Sequence, residues 1–244
     1  YIGMLGGTDP AAKVLFATHL LSASVMAVPG SIVLAKMLCP QTEEATDHVA
    51  ISGKEKENSN ILDAISSGTV TGVKLMTNIA AMLLVFISLV ALANYITEGV
   101  IGRYTGLNDW IVKITDGKAQ GLTFQFILGV ITSPFMWLIG VPSQDIMLVG
   151  SLLGQKTILN EFVAYFQLQQ WKDAGLFMYE KSILMSTYIL CGFANISSIG
   201  ILLGGLGVLA PEKRGLISRI GLPAMIGGAL VSVLSATIIG MILG

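Results

Sequence analysis

Charge is scarce in this sequence. Of its 244 residues only 12% are Asp, Glu, Lys or Arg, against 53% hydrophobic, and the mean hydropathy is +0.76. A soluble domain carries about twice that charged share, so the composition excludes an ordinary soluble chain and points to an integral membrane protein. The net charge of -1 offers no basic surface, so nucleic acid is not expected as a partner. Cysteine is scarce too. Cys39 and Cys191 lie in or beside apolar segments, fit no metal-ligand spacing and no disulfide framework, and read as small buried hydrophobes. The P-loop, HExxH and paired-aspartate motifs of ATP-driven pumps and intramembrane proteases are missing. We therefore expect no catalytic residue, no metal centre and no cofactor. No signal peptide is visible, and Tyr1-Ile2-Gly3-Met4 opens the chain without an initiator methionine, from which we expect a piece of a longer protein.

What is present is a series of apolar stretches of membrane length, and these predict an all-α integral membrane fold. A spanning helix needs about 20 mostly apolar residues. Residues 1–39 are expected to hold the first, since 14–35 lack acid, Lys and Arg and contain His19 and Pro29, with Lys36 at the end. The most polar stretch, 40–60, reads as a cytoplasmic loop. Residues 61–97 read as an amphipathic lead-in, 61–72, followed by the cleanest span, 75–97. Residues 98–140 read as an external polar connection to 118, followed by an apolar helix whose Phe124, Phe126, Phe135 and Trp137 suit either a span or an interfacial helix. In 141–172 two apolar runs, each too short to cross the hydrocarbon, flank Lys156, Thr157, Asn160 and Glu161. That pattern predicts a re-entrant helical hairpin with a polar tip. Residues 182–210 are uncharged but interrupted by Gly192, Asn195, Ser197, Ser198, Gly200 and Gly204-Gly205, which predicts a discontinuous transmembrane helix. Residues 220–244 are the last span. Placing the 40–74 loop and the 211–219 turn on one side gives that side Lys36, Lys54, Lys56, Lys74, Lys213, Arg214 and Arg219. The other side has Lys13, Arg103, Lys113 and Lys118. The bias makes the first side cytoplasmic, so that the hairpin opens from outside.

Two polar islands carry the chemistry. Glu161 stands among apolar residues, and polar groups at membrane depth are costly enough to mark solute or ion paths. Ionised, its carboxylate accepts hydrogen bonds from hydroxyls; protonated, it donates one. Bridging the vicinal hydroxyls of a sugar is a natural use. Asn195 supplies donors and acceptors and Ser198 a hydroxyl; three apart, they share a face if the backbone is helical there, with Ser197 pointing elsewhere. A structural reading stands beside this one, with Glu161 capping a half-helix or pairing with Lys156, and Asn195 satisfying broken backbone. Phe193 suits stacking on a planar ring or plain packing. His19 reads as locally hydrogen-bonded, and Gly200 to Gly204 as close helix packing. An enzyme using Glu161 as acid or base is disfavoured, because no second ionisable group lies at comparable depth.

Asn160-Glu161-Phe162-Val163-Ala164-Tyr165 resembles the second re-entrant hairpin tip of concentrative nucleoside transporters. Cys191-Gly192-Phe193-Ala194-Asn195-Ile196-Ser197-Ser198-Ile199-Gly200 resembles the discontinuous helix that faces it. His19 to Met26 with Pro29-Gly30, then Ala35-Lys36 and Pro40-Gln41-Thr42-Glu43, is similar to the family's preceding span and its exit. Gly204-Gly205-Leu206-Gly207 and Ala210-Pro211-Glu212-Lys213-Arg214-Gly215 match the end of the broken helix. The resemblance implies ion-coupled uptake of nucleosides across the plasma membrane by a homotrimer with an elevator-like motion. It implies that Glu161, Asn195 and Ser198 hold the ribose, with Phe193 beside the pocket. The family's first hairpin, with a Gly-Gln-Thr-Glu type tip, has no counterpart here. Nor does most of the following helix, so the sodium or proton site is expected mostly outside this chain, a C-terminal portion. The alternative is an ion-coupled transporter of another small polar solute, such as a nucleobase or a sugar.

Overall fold

The computed structural model describes residues 1–40, 60–115, 117, 119–200 and 211–244. Most of the 40–60 loop, Asp116, Lys118 and the 201–210 end of the broken helix, with Gly204-Gly205 and all of the GxxxG after Gly200, lie outside the described residues. The described chain is helical, without strands. Its residues fall into two compact units, Tyr1–Pro40 with Ala93–Gly244, and Gln41–Leu92.

In the first unit a short helix α1, Ile2–Gly6, leads into α2, Pro10–Leu38. Asp9 starts α2. Its carboxylate accepts from the backbone N–H groups of Ala11 at 3.0 Å and Ala12 at 3.3 Å, and Pro10 takes the first helical position, where no N–H is needed. Its 29 residues span about 44 Å, and the helix runs unbroken through Pro29. Thr18, Ser24 and Ser31 turn their hydroxyls back onto carbonyls of their own helix, at 2.8 to 2.9 Å, so these polar groups need no outside partner. The helix is longer at both ends than the charge-free segment 14–35, because Lys13 and Lys36 can stay in it while their heads reach for water.

The second unit is described by α3, Ile61–Asn94, whose last two residues belong to the first unit. One continuous helix replaces the expected lead-in and span. Thr69, Thr77 and Ser88 bond back to carbonyls one turn earlier, so the small polar residues do not interrupt it.

The expected connection after residue 97 is also helical. A π-helical stretch, Tyr95–Gly102, passes into α4, Arg103–Thr105, and α5, Leu107–Ile114. Gly106, at φ 72°, makes the left-handed turn between the last two. Asn108 pins the segment. Its amide donates to Glu98 O at 3.0 Å and its Oδ1 accepts from Leu122 N–H at 2.9 Å. Gly102 and Gly121 leave it room, since a Cβ at either position would run into its side chain.

Helices α6, Phe124–Leu138, and α7, Ile146–Ile158, pack closely through glycine. Gly129 lies against Met147 O, Gly150 against Thr132 and Gly154 against Leu128, the small-residue contact by which apolar helices approach. With 15 residues, α6 extends only about 22 Å, short of a span. Then come α8, Glu161–Asp173, and α9, Glu180–Leu190. The chain is non-helical at 191–195, and α10 begins at 196–200. After a 3-10 turn at Pro211–Lys213, α11 runs Arg214–Ile242, beginning six residues before the expected span. Among the described residues, α2 and α11 are the two helices long and apolar enough to cross a membrane. The core gathers around α9. Met185, Tyr188, Ile189 and Leu190 pack with Val149 and Leu152 of α7, Tyr165 and Leu168 of α8, Ala236 of α11 and Phe16 of α2.

Candidate functional site

The site forms where two half-length elements present their ends to each other. Helices α7 and α8 each have 13 residues, about 20 Å, and are joined at Leu159-Asn160. Asn160 caps α8 through Oδ1, which accepts from Val163 N–H at 2.9 Å. Glu161 is the first residue of α8, where a negative charge suits the helix N-terminus. Its side chain is nearly buried, and one carboxylate oxygen accepts from Asn195 Nδ2 at 3.0 Å.

Asn195 is fully buried in the break after α9 and caps α10. Its Oδ1 accepts from Ser198 N–H at 2.8 Å and from the Ser197 hydroxyl at 2.6 Å. The Ser198 hydroxyl donates to Asn195 O at 2.6 Å and accepts from Asn195 N–H at 3.3 Å. This is a reciprocal capping arrangement in which a serine reaches back to the cap residue. Asn195 and Ser198 therefore meet as cap and third helical residue, not as two residues on a helix face. Ser197 does not point elsewhere; it joins the same network.

Glu161 and Lys156 make no ion pair within 4.0 Å. Lys156, fully buried, donates instead to Ile189 O at 2.7 Å and to Ser232 Oγ at 3.0 Å. Phe193 lies in the break, two residues before Asn195. It is half-exposed and lines a mostly apolar recess of about 360 Å³ bounded by Val28 of α2, Ser198, and Met225 and Gly228 of α11. His19 does find a local partner, its Nδ1 lying 3.1 Å from the Tyr188 hydroxyl.

Tyr1 is the residue that sequence reasoning missed. Its ring stacks on Tyr165, the fifth residue of α8, with centroids 4.2 Å apart. Tyr165 is held in turn by its hydroxyl, which donates to Thr187 O at 2.8 Å. Among the described residues no three His, Cys, Asp or Glu side chains converge as a metal cage. The arrangement gathers a carboxylate acceptor, an amide and hydroxyls around one point, groups able to exchange hydrogen bonds with hydroxyls.

A helical hairpin whose tip faces the break in a second helix defines a class of architecture, the membrane transporter folds built on discontinuous helices. Within it, this chain belongs to the concentrative nucleoside transporter family. Residues 19–240 match the family model described as Na+ dependent nucleoside transporter C-terminus. The sodium/nucleoside cotransporter 1 of Rattus norvegicus is 38% identical over 240 residues, covering 93% of this chain and 35% of that protein. The nucleoside permease NupC of Helicobacter pylori is 36% identical over 228 residues, 93% of this chain and 51% of its own. A solved structure of a CNTnw variant in an outward-facing state superposes with TM-score 0.80 at 37% identity, over 93% of this chain and 51% of that one. CNTnw in an inward-facing substrate-bound state gives 0.75 at 35% identity, over 93% and 51%. The chain thus spans about half the length of the bacterial relative and the CNTnw chains, and about a third of the rat protein. As a family member it is a multi-pass integral protein of the plasma membrane.

Proposed function

We propose that the full-length protein containing this chain is a secondary active transporter. It takes up nucleosides across the cytoplasmic membrane, coupled to sodium or protons, as a homotrimer whose transport domains move in an elevator-like way. The observation that carries the reading is the 3.0 Å contact between Glu161 and Asn195, which joins a half-length hairpin tip to a helix break. A polar pair of this kind at membrane depth is retained where a solute must be met. In this reading the hairpin enters the bilayer from one side. Glu161 accepts hydrogen bonds from the two vicinal ribose hydroxyls, while Asn195 and Ser198 exchange part of their internal network for contacts to the sugar. Phe193 borders the base. The coupling cation binds mostly in the part of the protein outside this chain. Relatives that are a sodium/nucleoside cotransporter and a nucleoside permease support nucleosides as the solute class, and the outward- and inward-facing CNTnw states support alternating access.

The test is Glu161→Gln in the full-length transporter. The amide is isosteric but replaces an acceptor oxygen with a donor, so a hydroxyl pair loses its bridging partner. Uridine uptake is expected to fall to background at unchanged membrane level. Undiminished uptake overturns the ribose role. Competition of labelled uridine by nucleosides, and not by free bases or sugars, is expected alongside.

A further inference from the structure

The four helix ends at the site sort by sign. Two N-termini, those of α8 and α10, meet around one carboxylate, Glu161, with Asn195 between them. Two C-termini, those of α7 and α9, meet around one ammonium, Lys156. Helix N-termini favour negative charge and C-termini positive charge, so each group sits where the backbone dipoles want it. Lys156 occupies the last turn of α7 and is fully buried. Its ammonium takes Ile189 O, one of the carbonyls that a helix C-terminus leaves without an intrahelical donor, at 2.7 Å, and the Ser232 hydroxyl of α11 at 3.0 Å. Gly192, the second residue of the break, comes so close that a Cβ there would meet Ser232 Oγ and lie 3.3 Å from Lys156 Nζ.

Carbonyl oxygens at a half-helix C-terminus together with a hydroxyl are the ligands by which broken helices coordinate a monovalent cation. Here a side chain stands in that place. We propose that the Lys156 ammonium is a tethered cation, permanently occupying the carbonyl-and-hydroxyl position at the end of α9, and that it is a positioning residue holding the break so that Asn195 faces Glu161. The break is five residues without helical bonding, and Lys156 ties its upstream end to both the hairpin and α11. A mobile ion would leave with each cycle; a tethered one keeps this half of the site assembled whether or not coupling ions are bound. The inference rests on the transporter reading for its uptake arm only.

The experiment uses the full-length transporter with Lys156→Ala and Lys156→Met, in a Cys39→Ser background that leaves Cys191, the first residue of the break, as the thiol read within this chain. The alanine variant opens space that ethylammonium can fill; the methionine variant keeps the bulk and removes the charge. Uridine uptake by Lys156→Ala is expected to fall on the order of tenfold, the scale set by a buried carbonyl left without its donor. Ethylammonium is expected to restore a substantial part of it, and to restore nothing in Lys156→Met. Maleimide labelling of Cys191, which needs no substrate, is expected to speed up in both variants and to slow again with ethylammonium in Lys156→Ala alone. Native-like uptake and labelling in Lys156→Ala overturn the proposal, as does a loss that ethylammonium reverses in neither assay. Should Lys156→Ala not reach the membrane, Lys156→Met decides, with reduced uptake and faster labelling supporting the proposal and native-like behaviour overturning it. Absence of both variants from the membrane makes Lys156 a folding residue and overturns the positioning role. A native protein that takes up no uridine refutes the transporter reading instead, and the labelling arm still decides this one.

Discussion

Asn195 works in two directions, and a single substitution can separate them. Its Oδ1 caps α10 through Ser198 N–H, and its Nδ2 reaches Glu161. Serine caps a helix about as well as asparagine, whereas alanine loses about 1 kcal/mol. Asn195→Ser is therefore expected to keep thermal stability close to native while KM for uridine rises on the order of tenfold, the cost of one buried hydrogen bond to a charged group. Asn195→Ala is expected to lose both. An unchanged KM in Asn195→Ser would reduce Asn195 to a cap. At this scale the sequence was legible in part. Glu161, Asn195 and Ser198 stand out because they are polar in apolar runs, and the structure brings the three into one network. Lys156 was visible as a charge, and pairing with Glu161 stood as one branch of the structural alternative. Five residues from Glu161 suggested an ion pair, whereas the unsatisfied carbonyl of Ile189, distant in sequence, takes the ammonium at 2.7 Å. Tyr1 gave no local signal at all, since its place is set by stacking on Tyr165 across the fold.

Among the elements, the hairpin α7–α8 is held at its open end as well as its tip. Asp145, fully buried just before α7, accepts from Met178 N–H at 3.0 Å and Tyr179 N–H at 3.1 Å just before α9. Hydrogen bonds to a charged group contribute about 1.5–3 kcal/mol each. Asp145→Ala is expected to let the hairpin open locally, read by hydrogen exchange as faster exchange in α7 and α8 with α11 unchanged. Native-like exchange in the hairpin would show that the tip contacts alone hold it. The half-length runs around Glu161 and the glycine-and-serine interruption near Asn195 were readable because helix length and composition are local properties. Boundaries were less so, because spans were delimited by charge. Charged residues at helix ends stay helical while their heads extend to the interface, which is why α2 takes in Lys13 and Lys36, and α11 takes in Arg214 and Arg219. The stretch after residue 97 read as a loop from its polarity, yet Asn108 and two glycines fold it into helix by contacts that no window of sequence contains.

For the whole molecule the informative pair is α2 with α11. Gly30 lies against Val231 and Leu38 against Gly227, so the two helices run antiparallel and bring the Lys36 end of one beside the Arg214 and Arg219 end of the other. Both helices present large exposed apolar side chains, among them Val14, Leu21, Val25 and Val28 on α2 and Leu222, Met241 and Ile242 on α11. An apolar surface of that extent needs lipid or further protein against it. Basic residues near span ends are retained on the cytoplasmic side, so the shared basic end of α2 and α11 orients the pair. Cys39 caps α2 at that end and is exposed. In full-length protein with every other cysteine replaced, a membrane-impermeant maleimide is expected to label Cys39 in inside-out vesicles and to leave it unlabelled in intact cells. Labelling from the outside would invert the molecule. It would put the basic end of both helices outside and turn the hairpin tip with Glu161 toward approach from the cytoplasm.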